Sequence, residues 1–133
     1  MAGYRELLVW QRAMELVPAA YAVARRLPAE ERYALADQLR RAAISVPANV
    51  AEGQARQHRR EFIQALMIAR GSLAEVDTLL LISVRLGYAS AERIRLAQAL
   101  ILSIRQMLER LIGYLRSKPP LRPSSSERKT DNG

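Results

Sequence analysis

A chain of 133 residues has room for one domain with a single core, and half of its residues are hydrophobic while only seven are aromatic, a mixture that suits packed helices better than sheets. Cysteine is absent, which excludes disulfides and thiolate metal ligands. No apolar run approaches the roughly 20 residues a membrane-spanning helix needs, and Met1–Glu6 has no apolar signal core, so a cytoplasmic protein is expected. The formal charge of +8 is carried almost wholly by arginine, with Lys118 and Lys129 the only lysines. Such a balance suggests an anionic partner, nucleic acid or acidic lipid, although codon bias in a GC-rich genome would give the same composition.

The first helix is expected over residues 8–27, with Trp10, Ala13, Val17, Ala20, Ala24 and Leu27 as its seam. Pro18 removes a backbone donor inside it and predicts a kink. Leu27-Pro28 ends it, since a residue before proline is pushed out of helical geometry. The second helix should run from about Glu30 to Arg56 on Leu35, Leu39, Ala42, Val46 and Val50, with Pro47 as a second kink and Gly53 loosening the last turn. The third covers about His58 to Leu86, with Gly87 as its stop. Its stripe is Phe62, Leu66, Ala69, Leu73, Val76 and Leu80, while Ile63, Met67, Ile68, Leu79, Leu81 and Ile82 make it apolar around most of its circumference. The fourth is capped at Ser90, with Glu92 in its first turn. It follows a heptad through Ile94, Ala97, Ile101, Ile104, Leu108, Leu111 and Leu115, widened by Leu100, Met107 and Tyr114. Short connections make the fold all-α, an antiparallel up-and-down four-helix bundle over residues 1–116. Residues 117–133, rich in Pro, Ser and charge, are expected to form a disordered tail.

Little in the sequence suggests catalysis. A carboxylate-bridged metal site in a bundle needs paired Glu-x-x-His motifs, and the single histidine, His58, sits at a helix start beside Arg59 and Arg60. Phosphate-binding glycine loops, nucleophile elbows and H-E-x-x-H pairs are all missing. Without a second histidine, a serine nucleophile lacks its usual base. No cofactor and no metal are expected.

One segment departs from simple patterning. Gln38, Arg41, Ser45, Asn49, Glu52 and Arg56 recur every three or four residues as a polar stripe beside the apolar seam. Gln64, Gly71, Glu75 and Thr78 form a similar strip on the third helix, with Arg70 beside it. Gly71 and Ser72 in mid-helix cost propensity, roughly 1 kcal/mol for the glycine, and small residues there would admit another backbone. Two readings stand: a buried Arg/Glu/Asn network that fixes helix register, or a ligand site. The first pairs Glu52 with a buried Arg41 or Arg70.

Four blocks in this order, Val9-Trp10-Gln11, Gln38-Leu39-Arg40-Arg41-Ala42, Ser45-Val46-Pro47-Ala48-Asn49-Val50-Ala51-Glu52-Gly53 and Ala69-Arg70-Gly71-Ser72-Leu73-Ala74-Glu75, resemble the four-helix-bundle proteins encoded in 23S rRNA intervening sequences. The likeness extends from about Tyr4 to Leu115, and the nine-residue S-V-P-A-N-V-A-E-G run is its most specific part. It implies a homo-oligomer, commonly a pentameric ring, without established enzymatic activity. The related accessory proteins of diversity-generating retroelements form basic rings that bind nucleic acid and a reverse transcriptase. Carried over, Arg40, Arg41, Asn49, Glu52, Arg56, Arg70 and Glu75 are the candidate functional positions. The expectation is therefore a homo-oligomer that binds RNA or DNA through Arg40, Arg56, Arg59 and Arg60, with Arg41, Asn49, Glu52, Arg70 and Glu75 as a structural polar network. The alternative is a scaffold for an acidic or RNA-bound partner protein such as a reverse transcriptase. An enzyme using the Arg/Glu stripe is a third possibility. Few exposed aromatics are expected to be available for base stacking.

Overall fold

The computed structural model describes residues 3–118. A 3₁₀ turn, Tyr4–Glu6, leads into α1 (Leu8–Arg25); a second, Ala29–Glu31, precedes α2 (Leu35–Ala55), and α3 (Arg59–Arg85) and α4 (Arg95–Ser117) follow. Each helix packs on its sequence neighbours and α4 returns onto α1, so four antiparallel helices close around one core. The tail expected from 117 onward lies, beyond Lys118, outside the described residues.

Leu16, Leu39, Val46, Leu66, Leu73, Leu80, Ile104 and Leu108 have almost no exposed surface and form the centre of the core. The seams of α2, α3 and α4 follow the spacing the sequence predicts, except that Phe62 and Leu115 at their ends are only half-buried and Ile112 replaces Leu111 as the buried residue of the last turn of α4. In α1 the register differs. Val9, Leu16 and Val23 are buried, whereas Trp10 and Val17 lie at the margin. Both patterns pass through Ala13, Ala20, Ala24 and Leu27, and the Trp10 indole is too large for the narrow centre. It packs edge-on to Tyr4 instead, with centroids 5.4 Å apart.

Helices α1 and α2 run unbroken through Pro18 and Pro47. Pro18 is exposed, and so is Met14, whose carbonyl loses its helical donor; water can serve that carbonyl. The end of α3 is a Schellman motif: Tyr88 N–H donates to the Ser83 carbonyl at 2.9 Å and Gly87 N–H to that of Val84 at 3.0 Å. Gly87 has φ +79°, where a side chain is strained. Ser90 Oγ accepts from Arg93 N–H at 3.2 Å, but a turn intervenes and regular helix begins at Arg95.

Gly53 holds the closest approach of α2 and α3. A Cβ there would lie 2.5 Å from that of Ala65 and 3.1 Å from Cδ1 of Phe62. The glycine therefore permits helix contact, and does not merely loosen the end of α2. Gly71, where a close approach was expected, has no atom within 4 Å of the corresponding point.

Candidate nucleic-acid interface

The α2–α3 turn, Arg56 to His58, reverses the chain through Gln57 at φ +60°. It places three predicted contacts, Arg56, Arg59 and Arg60, at one end of the bundle, and the end of α4 joins them: Arg59 Nη1 donates to the Lys118 carbonyl at 2.8 Å. Arg116 and Lys118 therefore share this end, with the Lys118 ammonium 5.2 Å from the Tyr114 ring centroid. The fourth predicted contact is elsewhere. Arg40 donates to the Arg32 carbonyl at 3.2 Å, in the α1–α2 connection at the opposite end.

The four arginines are not equally available. Arg56 lies 3.3 Å from the Glu52 carboxylate and 3.6 Å from that of Glu61, so its charge is largely compensated. Arg40 lies 3.9 Å from Asp37. Arg60 is exposed, and among the described residues no carboxylate is within ion-pair distance.

The polar stripe does not form the expected buried charge network. Arg41 is 80% exposed and pairs with Asp37 at 2.9 Å. Glu52 is 65% exposed and meets Arg56, not Arg41 or Arg70. Arg70 is half-buried without a carboxylate partner among the described residues, and Glu75 is exposed. The stripe runs along the rim of the α2–α3 contact, where long side chains reach water and only short ones remain between the helices. The network that does exist is small and neutral. Asn49 Nδ2 donates to the Ser45 carbonyl at 2.8 Å and to Ser45 Oγ at 3.0 Å. Ser45 Oγ in turn lies 2.7 Å from Ser72 Oγ, across the helix pair. Of the five residues expected to form a network, Asn49 is the one that takes part in this one.

A second basic group was not anticipated. Arg25 ends α1 and Arg26 follows it, Arg32 lies in the α1–α2 connection, Arg85 ends α3, and Arg93 lies in the turn before Arg95 begins α4. The two connections are tied by Tyr88 Oη, which donates to Glu31 Oε2 at 3.0 Å. Glu31 Oε1 also accepts from Leu35 N–H at 3.4 Å, at the start of α2. The Tyr88 phenol is held above its usual value of 10.0, first by this hydrogen bond, then by desolvation and by the charges of Glu31 and Glu30. The signal in the sequence was the placement of arginines at three helix ends and in one connection, which only the topology gathers together.

Two shallow apolar grooves mark the surface. One of about 350 Å³ is lined by Thr78, Leu81, Ile82, Arg85 and Leu86 on α3. The other, about 290 Å³, lies between the start of α1 and Met107, Arg110 and Leu111 of α4. Each has one arginine; the polar stripe of α2 lines neither, and Thr78 alone of the α3 strip borders the first. Among the described residues no cluster of three or more His, Asp or Glu side chains is arranged to hold a metal ion, and no helix is long and apolar enough to cross a membrane.

The family model described as 23S rRNA-intervening sequence protein matches residues 5–110. The chain belongs to that family. Among solved structures it is similar to a protein of unknown function from the S23 ribosomal protein family of Bacteroides thetaiotaomicron VPI-5482, with a TM-score of 0.73 and 23% identity over 80% of this chain and 96% of that one. At that identity the likeness concerns the bundle itself. None of the curated proteins matches the chain.

Proposed function

We propose that this member of the 23S rRNA-intervening sequence family is a non-enzymatic homo-oligomer, a pentamer by the family resemblance, that holds RNA or DNA through its basic surface. The observation that carries this reading is uncompensated charge on a folded body. Residues 3–118 contain 18 of the 21 basic side chains and 11 of the 13 acidic ones. Ion pairs neutralise Arg12, Arg40, Arg41 and Arg56, whereas Arg25, Arg32, Arg60, Arg85 and Arg95 have no carboxylate within ion-pair distance among the described residues. Phosphate contact needs only such free guanidinium groups, and a repeated protomer multiplies a modest field into a large one. Arg60, with Arg59, Arg116 and Lys118 beside it, is the leading contact; Arg56 and Arg40 contribute less because carboxylates already neutralise them. Self-assembly is supported by the outer face of α3, where Ile68, Leu81, Ile82 and Leu86 are exposed.

Fluorescence anisotropy with labelled RNA and DNA oligomers tests the binding. Engagement of about 6–10 phosphates should weaken affinity by roughly 10³–10⁵ between 50 and 200 mM salt. Absence of binding at the lower salt with tens of micromolar protein would remove this reading in favour of a scaffold for a partner protein. Charge reversal at Arg59 and Arg60 should weaken the binding with the oligomer intact.

A further inference from the structure

Tyr33 is 86% exposed, more than any other large apolar side chain among the described residues. It does not sit on a loose loop. The segment is pinned on both sides of it: Glu31 bonds Tyr88 and the Leu35 amide, and the Arg32 carbonyl accepts from Arg40. The chain thus presents an aromatic ring to water from an anchored position, although burying it would be favourable.

The ring's surroundings are basic. Tyr33 shares its end of the bundle with Arg25, Arg26, Arg32, Arg85, Arg93 and Arg95, none of which has a carboxylate within ion-pair distance among the described residues. Four acids lie at this end. Glu31 is engaged by Tyr88 and Asp37 by Arg40 and Arg41, which leaves Glu30 and Glu92 against six guanidinium groups. The other well-exposed tyrosine, Tyr114, differs because a lysine of its own chain stands over its ring.

An exposed aromatic among free arginines is the pairing that single strands require: a flat surface for a base and charge for the flanking phosphates. Bases in a duplex are already stacked and offer no open face. We propose that this end of the bundle binds single-stranded nucleic acid, with Tyr33 stacking on a base while the neighbouring arginines hold the backbone. The proposal rests on the nucleic-acid reading above and adds to it a second contact surface, a strand preference and a named residue.

The test compares three probes by anisotropy at low salt: an oligo-dT, an abasic oligomer of equal length, and a duplex. The wild type should bind oligo-dT more tightly than either of the others. Tyr33→Ala should lower oligo-dT affinity by roughly 5- to 150-fold, to the abasic level, while abasic affinity stays unchanged. Tyr33→Phe should retain the preference. Tyr33 is nearly fully exposed, so matching thermal midpoints should show that the alanine variant is folded. Equal binding of oligo-dT and abasic oligomer by the wild type, or undiminished oligo-dT binding by Tyr33→Ala, would overturn stacking and leave phosphate binding in place. Failure of the wild type to bind any of the three probes would overturn both.

Discussion

A methyl group added at Gly53 would lie 2.5 Å from the Ala65 Cβ, an atom that moves only with the α3 backbone. Alanine is the better helix former by about 1 kcal/mol, but overpacking of a close helix pair costs roughly 1–3 kcal/mol or more. Gly53→Ala should therefore lower stability in denaturant titration, and Ala65→Gly in the same chain should recover part of the loss. A Gly53→Ala protein as stable as wild type would mean that the helices part without cost. Glu52, one residue earlier, should behave differently. Its carboxylate is exposed and meets only Arg56, so Glu52→Ala should cost less than roughly 1 kcal/mol. A loss of several kcal/mol in thermal melts would show that Glu52 serves a buried partner after all.

Among the elements, the connections hold the clearest pH response. The Tyr88 phenol is raised by its hydrogen bond to Glu31. A raised tyrosine binds its proton more tightly in the folded chain, so the stability it lends is complete below the unfolded pKa near 10 and is lost as pH rises through the folded value. Wild type should therefore lose stability between neutral and strongly alkaline pH more steeply than Tyr88→Phe, with the curves converging above the folded pKa. Parallel denaturation curves across that range would contradict the tie. The four helices themselves were legible because apolar residues recur with helical period, and Gly87 was legible as a stop because only glycine accepts φ +79° without strain. The α1 register was not, since two seams share Ala13, Ala20, Ala24 and Leu27 and only packing rejects Trp10. The candidate site was half legible. Arg56, Arg59 and Arg60 adjoin in sequence, so their cluster could be read directly. The Glu31–Tyr88 tie joins residues 57 positions apart, and the depth at which Glu52 sits depends on how α2 rolls against α3. Neither has a local signal.

At the scale of the whole molecule, four antiparallel helices bury one face each, and the apolar residues left over are concentrated on α3. Ile68 and Leu86 are more than half exposed, Leu81 and Ile82 somewhat less, and among the described residues no atom lies within 4 Å of where a Cβ would stand at Gly71 between them. A second protomer seated there would remove this surface from water at about 25 cal/mol per Å² of apolar area, and the missing side chain at Gly71 would let its backbone approach. Size exclusion with light scattering at micromolar concentration should accordingly give a multiple of the 15.0 kDa protomer mass. Ile82→Glu places a charge in the centre of this face without touching the core. Its expected outcome is a folded, helical monomer by circular dichroism and light scattering. A wild-type mass near that of one protomer would remove the homo-oligomer altogether. An Ile82→Glu protein that keeps the wild-type mass would instead preserve the oligomer but move its contact away from α3, towards the groove that Leu7, Leu8 and Val9 form with Met107 and Leu111.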